Sequence, residues 1–188
     1  MEPLRNVSNG YFVEPYSFFT LDNEHKAGLI VLGALGMLSV TTLLPVIAFI
    51  TIRLFIVPNI TQNQPIILCF NLLLADLFQA TSFLASFHWI VEGAILAPSG
   101  WCHVQGALLN LGDLSSGFFV LFIALHTAWT IVRGKSLSQK TFSAIILFIW
   151  AVAVALTIIG PIKYGRAFFV RAGNWVSKEL KEHLEMTC

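Results

Sequence analysis

Charged residues are scarce in this chain. Aspartate, glutamate, lysine and arginine make up 11% of its 188 residues, against about 25% in an ordinary soluble domain. The formal net charge is only +1, so the chain lacks the basic excess of a nucleic-acid-binding protein, and we predict no nucleic-acid partner. Cysteine is rare as well. The three cysteines have an irregular spacing that fits neither a zinc cluster nor a disulfide scaffold.

The motifs of common enzymes are also absent. The sequence contains no HExxH zinc motif, no GxSxG nucleophile motif and no phosphate-binding loop. Asp76 and Asp113 lie in apolar segments, but neither has the sequence context of an intramembrane protease. A lone histidine such as His126, with no second ligand three or four residues away, is a weak metal signal. We therefore predict that the chain is not an enzyme and that it uses no metal or cofactor.

What the chain has in abundance is apolar sequence. Hydrophobic residues make up 56% of it, and its mean hydropathy is +0.78. Each of four apolar runs exceeds the ~20 residues that a helix needs to cross a bilayer, and none alternates like a barrel strand. We therefore predict an all-α membrane protein with a bilayer as its surroundings. Its bundle covers 27–162, between segments 1–26 and 163–188, and its four transmembrane helices are expected at 27–52, 65–91, 102–132 and 141–162.

The short connections between the spans predict the orientation of the bundle. The loop 133–140 carries three basic residues and no acid, which places it in the cytoplasm, whereas the loop 92–101 has no basic residue. This arrangement makes segment 1–26 extracellular, in agreement with the glycosylation sequon at Asn6. The segment that follows residue 162 carries five more basic residues on the same outer side. A count of all basic residues on each side therefore contradicts the positive-inside rule. We give the short loops more weight in assigning the orientation.

Asp76 is the most informative single residue, because it lies near the middle of the second apolar run. A carboxylate at the centre of a membrane helix costs roughly 2.5–3.5 kcal/mol on insertion scales, so it is expected to face other helices, water or an ion. Two interpretations stay open. Asp76 either joins neighbouring helices by hydrogen bonds or forms an ion or proton site that switches between two packings of the bundle.

A second polar group occupies the outer half of the third span. Gln105, Asn110 and Asp113 form a polar stripe there, and Gly112 and Ser116 are spaced for close packing of two helices. The stripe either faces the interior of the bundle or lines a ligand pocket that is open to the outside. Cys102, at the outer start of this span, is either a free thiol or half of a disulfide. In the second case Cys188 is the only topologically possible partner.

The order of these features resembles that of a G-protein-coupled receptor. The segment Asn71–Leu77 resembles the second-helix signature of rhodopsin-like receptors, and Trp101 with Cys102 resembles the start of their third helix. The resemblance implies that Asp76, Ser116 and Asn71 form a polar core like the sodium site of these receptors. It also implies that Cys102 bonds to the second external loop.

Other segments resemble fungal receptors of the glucose-sensing and cyclic-AMP-receptor-like group. These segments are Gly112–Ser116, Ala124–Thr127 and Phe168–Trp175. His126 stands where animal receptors carry the aspartate of their Asp-Arg-Tyr motif, and the fungal group lacks that motif too. The chain ends at Cys188 without the usual loop cysteine and without spans five to seven. It resembles the N-terminal half of a receptor, either as a true truncated product or through a mispredicted gene.

The resemblance implies a receptor in the plasma membrane that senses an extracellular nutrient or small molecule and signals through a heterotrimeric G protein. Gln105, Asn110 and Asp113 would contact the ligand, and the G protein is expected as a partner of the full-length relative only. We expect no G-protein coupling from this chain alone. The alternative function is a complete four-helix scaffold or transporter accessory subunit. A proton or ion carrier that uses Asp76 and Asp113 is a third possibility.

Overall fold

The computed structural model describes residues 17, 20, 21, 23–56, 63–97 and 99–164. Residues 165–188, which hold most of the predicted external loop and tail, lie outside the described residues. The described part of the chain forms five α-helices, which are α1 (Asn23–Ile56), α2 (Gln64–Leu84), α3 (Ser86–Glu92), α4 (Gly100–Arg133) and α5 (Gln139–Tyr164). Because α2 and α3 follow one another in a single span, four spans are long and apolar enough to cross a membrane. The predicted all-α membrane fold is confirmed.

Every span extends one to four residues beyond each end of the apolar run that predicts it. The apolar runs end at charged side chains, but Arg53, Arg133 and Lys163 lie in the last turns of their helices. A basic residue at a helix C-terminus interacts favourably with the helix dipole and reaches the headgroup region. The helices therefore continue beyond the apolar segments that lie in the hydrocarbon core of the membrane.

Local sequence determines where α2 begins and where α4 begins and ends. Pro65 lies in the first turn of α2, where its missing N–H costs nothing. The side chain of Ser99 accepts a hydrogen bond from the backbone N–H of Cys102 at 3.2 Å and caps the start of α4. Gly134 adopts a left-handed φ of 64° and ends α4 by donating its N–H to the carbonyl of Thr130.

The second span is interrupted at Ala85, which the sequence does not predict. The N–H of Ala85 donates to the carbonyl of Thr81, and the N–H of His88 donates to the carbonyl of Ala85 at 3.0 Å. The second bond closes a tighter, three-residue turn between α2 and α3. Ser82 and Ser86 lie on either side of this interruption, and both are buried.

Helix α2 packs between α1 and α4, and α4 also packs against α5. Two glycines allow the closest approaches. A Cβ added at Gly36 of α1 would lie 2.8 Å from the backbone nitrogen of Leu84, and one at Gly112 of α4 would lie 2.7 Å from the backbone nitrogen of Gln79. Small residues at helix crossings are typical of membrane bundles, where backbones approach closely.

The apolar core lies between α2, α4 and α5 and consists of Leu68, Ala75, Phe119, Phe122, Phe142 and Ile149. The outer faces of the same helices carry large apolar side chains that are exposed, such as Phe55, Ile131 and Ile162. Such a surface suits lipid rather than water. The chain is therefore a multi-pass membrane protein.

At the end of the bundle that holds Gly93 and Ala97, residues from before α1 pack on the connection between α3 and α4. The hydroxyl of Ser17 donates to the carbonyl of Ala97 at 2.9 Å and accepts from the N–H of Ala97 at 3.0 Å. The N–H of Leu21 donates to the carbonyl of Gly93 at 3.0 Å. We call this the outer end, and the end with Gln64 and Leu137 the inner end, after the predicted orientation.

Candidate functional site

A cavity of about 290 Å³ lies beside Asp76, between α1 and α2. It is lined by Ser39, Thr42 and Leu43 of α1 and by Asp76, Gln79, Ala80 and Phe83 of α2. Asp76 itself is half-buried. The residues that line it carry a carboxylate, two hydroxyl groups and a side-chain amide, and the space is large enough for water or a small ion.

Gln79 links this cavity to the second aspartate. It lines the cavity and also forms a side-chain hydrogen bond with Asp113 of α4. The pair can approach because Gly112, next to Asp113, places the α4 backbone against the backbone of Gln79. We name the set Ser39, Thr42, Asp76, Gln79 and Asp113 the polar layer. Its members lie near the middle of their helices, so they share one depth in the membrane.

Asn71 lies outside the polar layer and contacts a different helix. Its Oδ1 accepts a hydrogen bond from Nε1 of Trp150 at 2.9 Å, and its Nδ2 donates to the carbonyl of Ile67 at 2.8 Å. Five residues along a helix correspond to a rotation of about 140°, so Asn71 and Asp76 face different neighbours. Asn71 therefore joins α2 to α5, whereas Asp76 faces α1.

Trp150 was not among the residues singled out from the sequence. Besides its bond to Asn71, its ring packs against Phe119 at 5.5 Å and against Phe78 at 6.0 Å between ring centroids. A lone tryptophan in an apolar helix is the only sequence signal for this contact, and it does not reveal the partner.

Ser116 is half-buried and donates to the carbonyl of Asp113 at 3.2 Å within its own helix. Among the residues that the structure describes, no hydrogen bond joins Asp76 to Asn71 or to Ser116. These are the three residues of the expected sodium-like core. Their joint role remains a prediction.

Gln105 belongs to a buried network near the outer end. Its side-chain oxygen accepts from Nε1 of Trp89 at 2.6 Å, and its Nε2 donates to the hydroxyl of Ser86 at 3.5 Å. The hydroxyl of Ser82 donates to the backbone carbonyl of Gln105 at 2.9 Å. These bonds hold the interruption between α2 and α3 against α4, and they occupy the amide that was expected to meet a ligand.

The expected ligand stripe does not form a single surface. Gln105 and Asn110 are each 6% exposed, whereas Asp113 is exposed and bonded to Gln79. A ligand role for them remains a prediction. Cys102 is fully buried and disulfide-bonded, and its partner lies outside the described residues.

A further polar network lies at the inner end. Nε2 of His126 and Oε1 of Gln64 are 2.7 Å apart, and Nε2 of Gln64 donates to the carbonyl of Leu137 at 2.6 Å. Because an amide oxygen only accepts, Nε2 of His126 carries the hydrogen in this arrangement. The ring of His126 also meets the rings of Phe122 and Phe142. The network ties α2, α4 and the connection to α5 together.

A comparison of the sequence with curated proteins finds a similar receptor. The chain is 28% identical over 133 residues to G-protein coupled receptor 157 of Homo sapiens, and the match covers 68% of the chain and 38% of the relative. The chain thus spans less than half the length of the relative that it matches. No family model matches the chain, and no solved structure matches it.

The chain therefore resembles a G-protein-coupled receptor, and this likeness points to a non-enzymatic receptor in a membrane. It does not favour the four-helix scaffold or accessory subunit. The relative is a human protein, so the comparison gives no support to the fungal glucose-sensing group, which remains a prediction from sequence motifs.

Proposed function

We propose that the chain forms the first four helices of a G-protein-coupled receptor that senses a small extracellular molecule at the plasma membrane and signals through a heterotrimeric G protein. The likeness to the human receptor over 68% of the chain supports this proposal. The observation that carries it is the polar layer, in which Asp76 lies beside a cavity and is coupled through Gln79 to Asp113. The idea that the ligand is a nutrient, as in fungal sensors, rests on the sequence motifs alone.

In this proposal the polar layer switches the receptor between two packings of its helices. Membrane helices rarely carry two acidic side chains at mid-depth unless these respond to an ion, a proton or a movement of neighbouring helices. Gln79 contacts both sides of the layer, so a movement of α4 relative to α2 changes the bond to Asp113 and the wall of the Asp76 cavity together. The bond between Asn71 and Trp150 keeps α5 attached to α2 while this happens.

Cysteine accessibility tests whether the cavity beside Asp76 contains water. In a Cys69→Ala background, Asp76→Cys and the control Leu38→Cys are compared for their reaction with a charged, membrane-impermeant thiol reagent. Leu38 lies at similar depth in α1 but is 63% exposed on the surface that suits lipid. We expect Asp76→Cys to react about tenfold faster, because the reagent needs water to reach it. Equal, slow reaction at both positions would contradict a hydrated switch.

G-protein signalling tests the receptor itself. Full-length transcripts that contain this sequence are cloned, and their product is expressed in cells with sensors of G-protein dissociation while small nutrients are added. We expect a ligand-dependent signal that Asp76→Asn abolishes and that the control Gly117→Ala preserves. A product that reaches the cell surface and changes no sensor, with any nutrient, would refute signalling through a G protein.

A further inference from the structure

Among the described residues, the inner end of the bundle has positive charges and no negative ones. Its cations are Arg53 on α1, Arg133 on α4, Lys135 in the connection from α4 to α5, and Lys140 on α5. The sequence has no acidic residue between Glu24 and Asp76, or between Asp113 and Glu179. The segments that meet at this end therefore contain no carboxylate that could neutralise the cations.

Two of these cations lie around a cavity of about 370 Å³. It is lined by Trp129, Arg133, Lys135, Ser136, Leu137 and Ser138. The guanidinium of Arg133 lies over the ring of Trp129, 4.6 Å from its centroid, which holds one wall in place. The cavity thus combines a planar bidentate donor, a second cation and hydroxyl groups, the donors that bind phosphate oxygens.

The backbone that carries these groups is fixed at both ends of the connection. Gly134 ends α4 with its left-handed turn. The side chain of Gln64 donates to the carbonyl of Leu137 and holds the middle of the connection to α2. The hydroxyl of Ser138 accepts from the N–H of Thr141 at 3.3 Å and caps the first turn of α5. The backbone under the cavity is therefore fixed by the fold, while the side chains of Arg133, Lys135, Ser136 and Ser138 are exposed and accessible to a ligand.

The surroundings of the cavity indicate where its ligand comes from. Ile131 and Val132, next to Arg133, are 77% and 82% exposed and belong to the surface that suits lipid. Tryptophan side chains such as Trp129 are typical of the membrane interface. A ligand in this position has its charged part among the cations and an apolar part against α4.

We propose that the cavity formed by Trp129 and residues 133–138 binds the phosphate of an anionic phospholipid headgroup, with the acyl chains lying along α4. Arg133 binds two phosphate oxygens, Lys135 supplies the second charge, and the hydroxyl groups of Ser136 and Ser138 complete the contacts. The proposal is independent of the receptor function. It assigns a lipid site to the connection between α4 and α5.

Native mass spectrometry of the full chain tests this site. The protein is released from micelles that contain equal amounts of phosphatidylcholine, phosphatidylserine and phosphatidylinositol 4-phosphate, and bound lipids are counted. We expect anionic lipids to be retained over phosphatidylcholine. The double variant Arg133→Gln/Lys135→Gln removes the charge-assisted bonds to the phosphate oxygens and should reduce this preference about tenfold or more.

The matched control is Arg53→Gln/Lys140→Gln, which removes the same charge from the same end but leaves the cavity intact. We expect its preference to fall less than about threefold. An equal loss in both double variants would mean diffuse attraction to the whole end and would overturn the site. No preference for anionic lipid in the unaltered chain would overturn it as well.

Two competitors separate other sources of the same chemistry. Soluble glycerophosphoinositol 4-phosphate lacks acyl chains, so we expect it to displace the lipid only at far higher concentration. Displacement at equal concentration would assign the cavity to a free phosphate. An acidic peptide that displaced the lipid at lower concentration would assign it to a protein partner and overturn the proposal. Circular dichroism of each variant checks that its helices are intact.

Discussion

The contact between Gly112 and Gln79 offers the sharpest test of how the polar layer is assembled. A methyl group at Gly112 would lie 2.7 Å from the backbone nitrogen of Gln79 and 2.9 Å from its Cβ. The first of these atoms belongs to a helix backbone, so no side-chain rotation relieves the clash. In Gly112→Ala, α4 must therefore move away from α2 and stretch the hydrogen bond between Asp113 and Gln79.

Gly117 provides a control in the same helix. A Cβ there would meet none of the described atoms within 4 Å, so Gly117→Ala changes only the helix propensity, by about 1 kcal/mol in favour of alanine. Overpacking of a well-packed interface costs about 1–3 kcal/mol. We therefore expect Gly112→Ala to be about 2 kcal/mol less stable than Gly117→Ala. For a chain of this size, that difference corresponds to a Tm lower by about 4–8 °C.

Thermal unfolding of the two variants in the same detergent, followed by tryptophan fluorescence, measures this difference. The reaction of Asp76→Cys with a charged thiol reagent should also change in the Gly112→Ala background, because Gln79 lines the same cavity. Equal Tm values for Gly112→Ala and Gly117→Ala would refute the close approach of α2 and α4. An unchanged reaction at position 76, despite a lower Tm, would refute the coupling through Gln79.

Two further predictions concern the other contacts of α2. Trp150→Phe removes the donor to Asn71 and should cost about 0.6–1.5 kcal/mol of unfolding free energy. In a double-mutant cycle with Asn71→Ala the two losses should not add, and strict additivity would show that the bond contributes nothing. Gln64→Ala should loosen the connection from α4 to α5. We therefore expect Ser136→Cys to react with a water-soluble maleimide several-fold faster in the Gln64→Ala background than in the control background Asn63→Ala. The side chain of Asn63 makes no capping hydrogen bond. Equal rates in the two variants would contradict an anchoring role for Gln64.

Hydropathy alone predicts the spans because lipid imposes a simple requirement. Every backbone group in the hydrocarbon must be bonded within its own helix, so about 20 apolar residues are sufficient to define a span. The position of Asp76 and Asp113 near the middle of their helices follows from the same count. The interruption at Ala85 could not be predicted, because neither glycine nor proline marks it.

The partners of the polar side chains could not be predicted either. In a soluble protein an apolar stripe reveals which face of a helix points inward. Helices such as α5 are apolar all round, because lipid and neighbouring helices both accept apolar side chains. The bond between Asn71 and Trp150 joins positions 79 residues apart, and it depends on a rotation of α5 that no sequence pattern specifies. For this reason the sequence could not show that Asn71 bonds to Trp150 of α5 while Asp76 lines a cavity beside α1.

The distribution of polar contacts explains how a bundle in lipid acquires a defined packing. Lipid tails are as apolar as leucine, so burying more leucine gives little preference for one rotation of a helix over another. The side-chain bonds between helices give that preference, and α2 takes part in those described at four positions, through Gln64, Asn71, Gln79 and Ser82. Helix α1 approaches α2 through Gly36, while the threonines in its middle bond only to their own helix. Asp76 therefore faces the neighbour with the weakest directional contacts, and this is where a cavity can open or close without breaking the rest of the bundle.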